Sequence, residues 1–304
     1  MPPSCIPAGA GTSACGGNAV VSCCDSPEVP GATFYRSYDG ISSGYTSTAF
    51  PATVSTLRID RFEVTVGRFR QFVSAWDAGW RPASGSGLHS HLNSGRGLTN
   101  AGAVGGYETG WSTAWASNLG TTLVSWTTNL TASTPATWTE IAGANEKLPI
   151  TEETWFEAYA FCIWDGGFLP SEAEWNNAAS GGTDQRAYPW SPAYPPGSAA
   201  ITCSEANYNA CSGATLAVGS LSPAGDGKYG HSDLAGNADE WVLDWKAPLT
   251  ASCVDCADLS VATDRVRRGG GFPSTPAINL ASYRDMNPPT TRSDNDGFRC
   301  ARVP

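Results

Sequence analysis

The chain has 304 residues, 41% of them hydrophobic, with 12 Trp, 10 Tyr and 10 Phe. That supplies a sizeable core for one large domain or two small ones and excludes wholesale disorder. Charged residues make up only 15%, Gly (34) and Pro (21) together approach a fifth, and the net charge is −10. Long charged helices and coiled coils are therefore excluded, and loop-rich structure is expected. With 18 basic against 28 acidic residues, too few cations are available to displace counterions from nucleic acid or to hold an anionic membrane surface. No apolar run reaches the roughly 18 residues of a transmembrane segment.

In chain order, residues 1–28 are rich in Gly, Ala, Ser and Cys without periodicity and read as a Cys-rich appendage or linker. Alternation of apolar and polar residues begins at Val29 (VPGATFYRSYDG) and returns in LRIDRFEVT, with Leu57, Ile59 and Phe62 on an inner side. Thr65 is placed to cap a helix carrying Val66, Phe69, Val73 and Trp76 at helical spacing. Residues 77–145 read as a loop-rich insertion. A second helix is expected from Thr151 as cap, with Glu152 and Glu153 in its first turn, ending at Asp165-Gly166-Gly167. A third follows at once, because Ser171-Glu172-Ala173-Glu174 has the form of a capping box. Capping accounts for both Glu pairs without catalysis.

The ten cysteines are an even set in a Lys-poor chain, which points to disulfides and an oxidising compartment. Cys253-Val-Asp-Cys256 has zinc-knuckle spacing, but no second such pair follows, so a local disulfide is the better reading. Cys203 with Cys211 is a further expected bridge; the pairing of Cys5, Cys15, Cys23 and Cys24 stays open. The segment around His89-Ser-His91 reads as a solvated loop lacking an obvious third metal ligand, and His231 as a packed or surface residue.

The string ITEETWFEAYAFCIWDGGFLPSEAEWNNAAS, followed by YPW, resembles the formylglycine-generating enzyme (sulfatase-modifying factor) family. DRFEVTVGRF, EANYN, YGHSDLAGNADEW, RVRRGGGF and GFRCAR follow the same family pattern, all in its order, over roughly Pro30 to Arg302. The resemblance implies an α+β, C-type-lectin-like single domain over residues 29–304, with little regular secondary structure. It implies a disulfide between Cys162 and Cys300. It also implies structural calcium held by Asp233, Glu240 and the carbonyls of Gly236 and Ala238, with a second, incomplete site at Asn207 and Tyr208. Calcium takes 6–8 hard oxygens, which carboxylates and carbonyls in a tight turn supply.

The family's enzymes bind copper(I) through two cysteines after the Gly-Gly-Ser-Tyr strand. The matching positions here are Ser274 and Asn279, while Gly271 stands in place of Ser and Asp239 in place of Trp. Soft copper(I) requires thiolates, so copper is not expected and no catalytic residue is assigned. The reading is a secreted, periplasmic or cell-surface module, monomeric, which binds a protein, peptide or glycan ligand or serves an accessory role. A lipid anchor from a segment outside this sequence is compatible with it. An oxidoreductase with another metal in the same cleft is one alternative. Another is a variable protein of a diversity-generating retroelement, in which the polar Ser274–Asn295 stretch would line the ligand surface.

Overall fold

A computed structural model describes residues 1–17, 21–103, 105–195, 197, 200–209 and 211–304. Strands β1 (Glu28–Val29), β2 (Ala32–Tyr35), β3 (Pro51–Val54) and β4 (Leu57–Ile59) precede helix α1 (Val66–Asp77). The loop-rich stretch then carries β5 (Thr99–Asn100) and α2 (Leu123–Leu130), and α3 (Trp155–Trp164) and α4 (Glu172–Ser180) follow. The last third holds β6 (Asp239–Trp245), β7 (Cys253–Val254), β8 (Cys256–Ala257) and β9 (Arg265–Arg268). Strands β10 (Asp285–Asn287), β11 (Asp296–Gly297) and β12 (Ala301–Arg302) complete it.

The strands form small sheets ordered β1-β4-β12, β10-β9-β6-β11, β2-β3-β7 and β5-β8. Leu57 and Ile59 point inward from β4 as the alternation predicts, with Arg58 exposed between them. The central ribbon is antiparallel β6 and β9, pairing Glu240 with Arg268, Trp241 with Arg267 and, past an irregularity, Trp245 with Arg265. Both strands are buried almost throughout, arginines included.

Two of the three expected caps are found where the residues place them. Thr65 Oγ1 accepts from the Arg68 N–H, and Ser171 with Glu174 forms the reciprocal box. Helix α4 ends at Gly181, which takes φ +69°, a left-handed turn that a side chain would strain. The α3 expectation needs correction: its cap is Thr154, not Thr151, with Glu157 closing the box. Thr151 instead shares a hydrogen bond with Thr137, and Glu152 takes φ +69° ahead of the helix. The Thr154–Glu157 pair satisfies two orphan N–H groups together, which a Thr151 start would leave to a strained residue.

An aromatic cluster joins α1 to α3: Phe69 stacks on Phe161, and Phe72 meets Trp76, Trp126 and Trp164 edge-on or tilted. Trp111, Trp126 and Trp138 come from residues 77–145, so that stretch builds part of the main core. The front residues also pack. Arg68, fully buried, pairs with Asp60 and Asp165 and donates to Ser4 Oγ and the Cys23 carbonyl. Residues 18–20 lie outside the described residues.

Five disulfides join Cys5 to Cys24, Cys15 to Cys23, Cys162 to Cys300, Cys203 to Cys211 and Cys253 to Cys256. No cysteine is free. No helix among the described residues is long and apolar enough to cross a membrane.

Candidate functional site

The chain leaves β9 through Gly269-Gly270-Gly271 and turns back on itself. Ser274 Oγ accepts from the Gly271 N–H at 3.0 Å, and the Ser274 carbonyl accepts from the Asn209 N–H. Asn279, fully buried, donates its side-chain amide to the Thr275 carbonyl at 2.8 Å. Its Oδ1 has no partner among the described residues. Both side chains thus knit one turn together. A Cβ on Gly271 would sit 3.0–3.1 Å from Asn295, so Asn295 fills the space beside the turn.

Asp239 lies next to it, 1% exposed, accepting from the Gly270 N–H at 3.3 Å. Burial pushes its carboxyl well above the usual range, against the pull of Arg267. Arg267 faces Asp239, Asp285 and Asp296 together. As a copper(I) site these residues do not fit. A hydroxyl and an amide offer hard oxygens, and every thiol of the chain is in a disulfide.

The segment Asp233–Glu240 is clipped in place by Gly236, which takes φ +82°. A Cβ there would meet the Asn207 carbonyl at 2.4 Å. Asp233 Oδ2 accepts from the Gly219 N–H at 2.6 Å, and burial pushes this carboxyl up to about 6. Glu240 is already committed: Arg299 donates to both its oxygens at 2.6–2.9 Å, and Trp175 Nε1 adds a third donor at 2.8 Å. Glu63 accepts from the Asn237 side chain and the Ala238 N–H, and burial raises it well above its usual range.

Of these three buried carboxylates only Glu240 is bonded to the Arg299 guanidinium. Among the described residues no three His, Cys, Asp or Glu side chains group as a metal site. Of the two carboxylates expected for calcium, Glu240 is occupied by Arg299, which leaves Asp233 with the backbone carbonyls of its segment. The second set is occupied as well. Asn207 Oδ1 accepts from Ser212, and the Tyr208 carbonyl from the Cys211 N–H.

His89 was the residue the sequence concealed. It is fully buried, with Nδ1 2.9 Å from Glu108 and Nε2 3.0 Å from Glu174. Although burial opposes the charge, the two carboxylates raise its pKa to about 10. It is a buried cation, not a loop imidazole free for metal. No local signal pointed to this, because Glu108 and Glu174 lie 19 and 85 residues away. His231 is packed as expected, its Nε2 3.1 Å from the Ile59 carbonyl, and burial lowers it to about 3.

The model of the sulfatase-modifying factor enzyme 1-like domain matches residues 18–304. The chain belongs to this family. Among its relatives, the formylglycine-generating enzyme of Thermomonospora curvata is 31% identical over 175 residues, covering 51% of this chain and 56% of that protein. The inactive Cα-formylglycine-generating enzyme 2 of Bos taurus is 34% identical, covering 53% and 52%. The chain thus spans about half the length of these relatives. Two solved structures share the fold. Treponema denticola variable protein 1 has a TM-score of 0.57 at 20% identity, over 92% of this chain and 95% of that one. PvdO from Pseudomonas aeruginosa has a TM-score of 0.58 at 19% identity, over 91% and 93%. Ser274, Asn279, Gly271 and Asp239 all fall in one small volume.

Proposed function

We propose that this chain is a ligand-binding or accessory module on the formylglycine-generating-enzyme fold, without copper oxidase chemistry. The observation that carries the reading is the fate of the thiols: all ten cysteines are paired, and Ser274 and Asn279 hold a turn together. The same five disulfides support a secreted, periplasmic or cell-surface setting. Ligands of the protein, peptide or glycan class would meet the Ser274–Asn295 surface, with the chain acting as a monomer. Structural calcium belongs to this reading, held through Asp233 and the Gly236 and Ala238 carbonyls.

The deciding experiment is an oxygen-electrode and mass-spectrometric assay of copper(I)-loaded protein with a cysteine-containing sulfatase peptide. No oxygen uptake and no modified peptide are expected; formylglycine in the peptide overturns the reading. The fold shared with Treponema denticola variable protein 1 favours a second reading, in which the same Ser274–Asn295 surface belongs to a variable binding protein.

A further inference from the structure

At the far end of the β6–β9 ribbon, ~16 Å along the strand from Glu240, lies a cavity of about 450 Å³. That volume falls within the ordinary range for small-molecule sites. Its walls are aromatic, from Trp115, Trp155, Phe156, Tyr159 and Trp245. One charged group stands among them without a counter-ion. The Arg265 guanidinium lies 3.6 Å from the ring centres of both Trp155 and Trp245 and is 4% exposed.

Its Nη1 donates to the Leu243 carbonyl at 2.5 Å, and its Nε has no acceptor. Of the three arginines in β9, Arg267 and Arg268 face carboxylates and Arg265 faces none, among the described residues. Asp244 does not serve, because its oxygens accept from the Glu172 and Asp258 N–H groups. Glu108 also lines the cavity, but its oxygens are engaged by the His89 ring and by the His89 and Leu98 N–H groups rather than by Arg265. Burial without a partner lowers Arg265 to about 9.

The two indole faces account for the stacking of the guanidinium, but apart from the bond to Leu243 they leave its in-plane donors unused. A planar carboxylate matches such donors, and the aromatic walls match a flat apolar body. We propose that this cavity binds small organic carboxylates with an aromatic body, the carboxylate on Arg265 and the ring against Trp115 and Tyr159. None of the residues lining this cavity comes from the Ser274–Asn295 stretch.

The test is calorimetric titration of the intact protein with 2-naphthoate and with the neutral 2-naphthamide. The acid is expected to bind about tenfold tighter than the amide or better, the margin of one charge-assisted hydrogen bond. Arg265→Gln should abolish that preference. Because the core variant risks misfolding, Val261→Glu gives an independent reading. Val261 lines the cavity yet is 84% exposed, so a carboxylate there should weaken naphthoate several-fold and leave naphthamide unchanged. Absence of binding at millimolar probe, equal affinity for acid and amide, or indifference of naphthoate to Val261→Glu would each overturn the proposal.

Discussion

His89 shows how much one side chain can carry. Held between Glu108 and Glu174, it sets one buried positive charge between two buried carboxylates. Removing one partner of a buried ionic set costs about 3–5 kcal/mol, because the charges left behind are stranded. His89→Ala should therefore lower the unfolding free energy by about that amount at pH 7, measured by urea titration. The sign with pH follows from the raised folded value of about 10. The His89 contribution is complete below the unfolded pKa near 6.5 and is lost as pH rises toward 10. The gap between wild type and variant should narrow over that window; a constant gap from pH 7 to pH 10 would contradict a charged His89. Asp244, raised to about 7, acts in the same direction between pH 4 and 7, whereas His231, lowered to about 3, opposes it below 6.5.

Among elements, the Asp233–Glu240 segment is tied down by its neighbours on more than one side. Its backbone is tied to Asn207 and to the exit of β9, through Asn237 N–H to the Asn207 carbonyl and Gly236 N–H to the Gly269 carbonyl. A cation bound only by this folded loop stabilises the protein by mass action. Chelation with EGTA is expected to lower the melting temperature, and Asp233→Ala to remove most of the difference between chelated and calcium-loaded protein. An unchanged melt in both proteins would eliminate calcium from the loop. Helix α3 carries a different lesson about elements. Two threonines three residues apart, Thr151 and Thr154, are both plausible caps by composition. The structure selects Thr154 because only that choice brings a glutamate to the third helical position.

At the scale of the whole molecule, five cross-links add to what the core supplies. The Cys162–Cys300 bridge spans 138 residues and ties α3 to the C-terminal strand region, whereas Cys203–Cys211 spans 8. On the chain-entropy account the first is worth about 5 kcal/mol and the second about half that. Replacing Cys162 and Cys300 together by Ala should therefore lower the unfolding free energy well beyond replacing Cys203 and Cys211. Equal losses would mean that the bridges act through local packing instead.

Much of the architecture was legible because its signals are local or ordered. Thr65 and Ser171 cap the helices they precede, Leu57 and Ile59 alternate into the core, and the motif string from Asp60 to Arg302 carries the family in order. The bridge between Cys162 and Cys300 follows from that family pattern alone. Electrostatic partnerships did not show in the sequence. Nothing near His89, Glu240 or Arg265 in the chain says that the first gains two carboxylates, the second a guanidinium and the third none. A residue's type and neighbours set its local conformation, through sterics and short hydrogen bonds. Its charge state and its free valences depend on groups brought from 19 to 85 residues away. Only the tertiary structure decides which of them arrive.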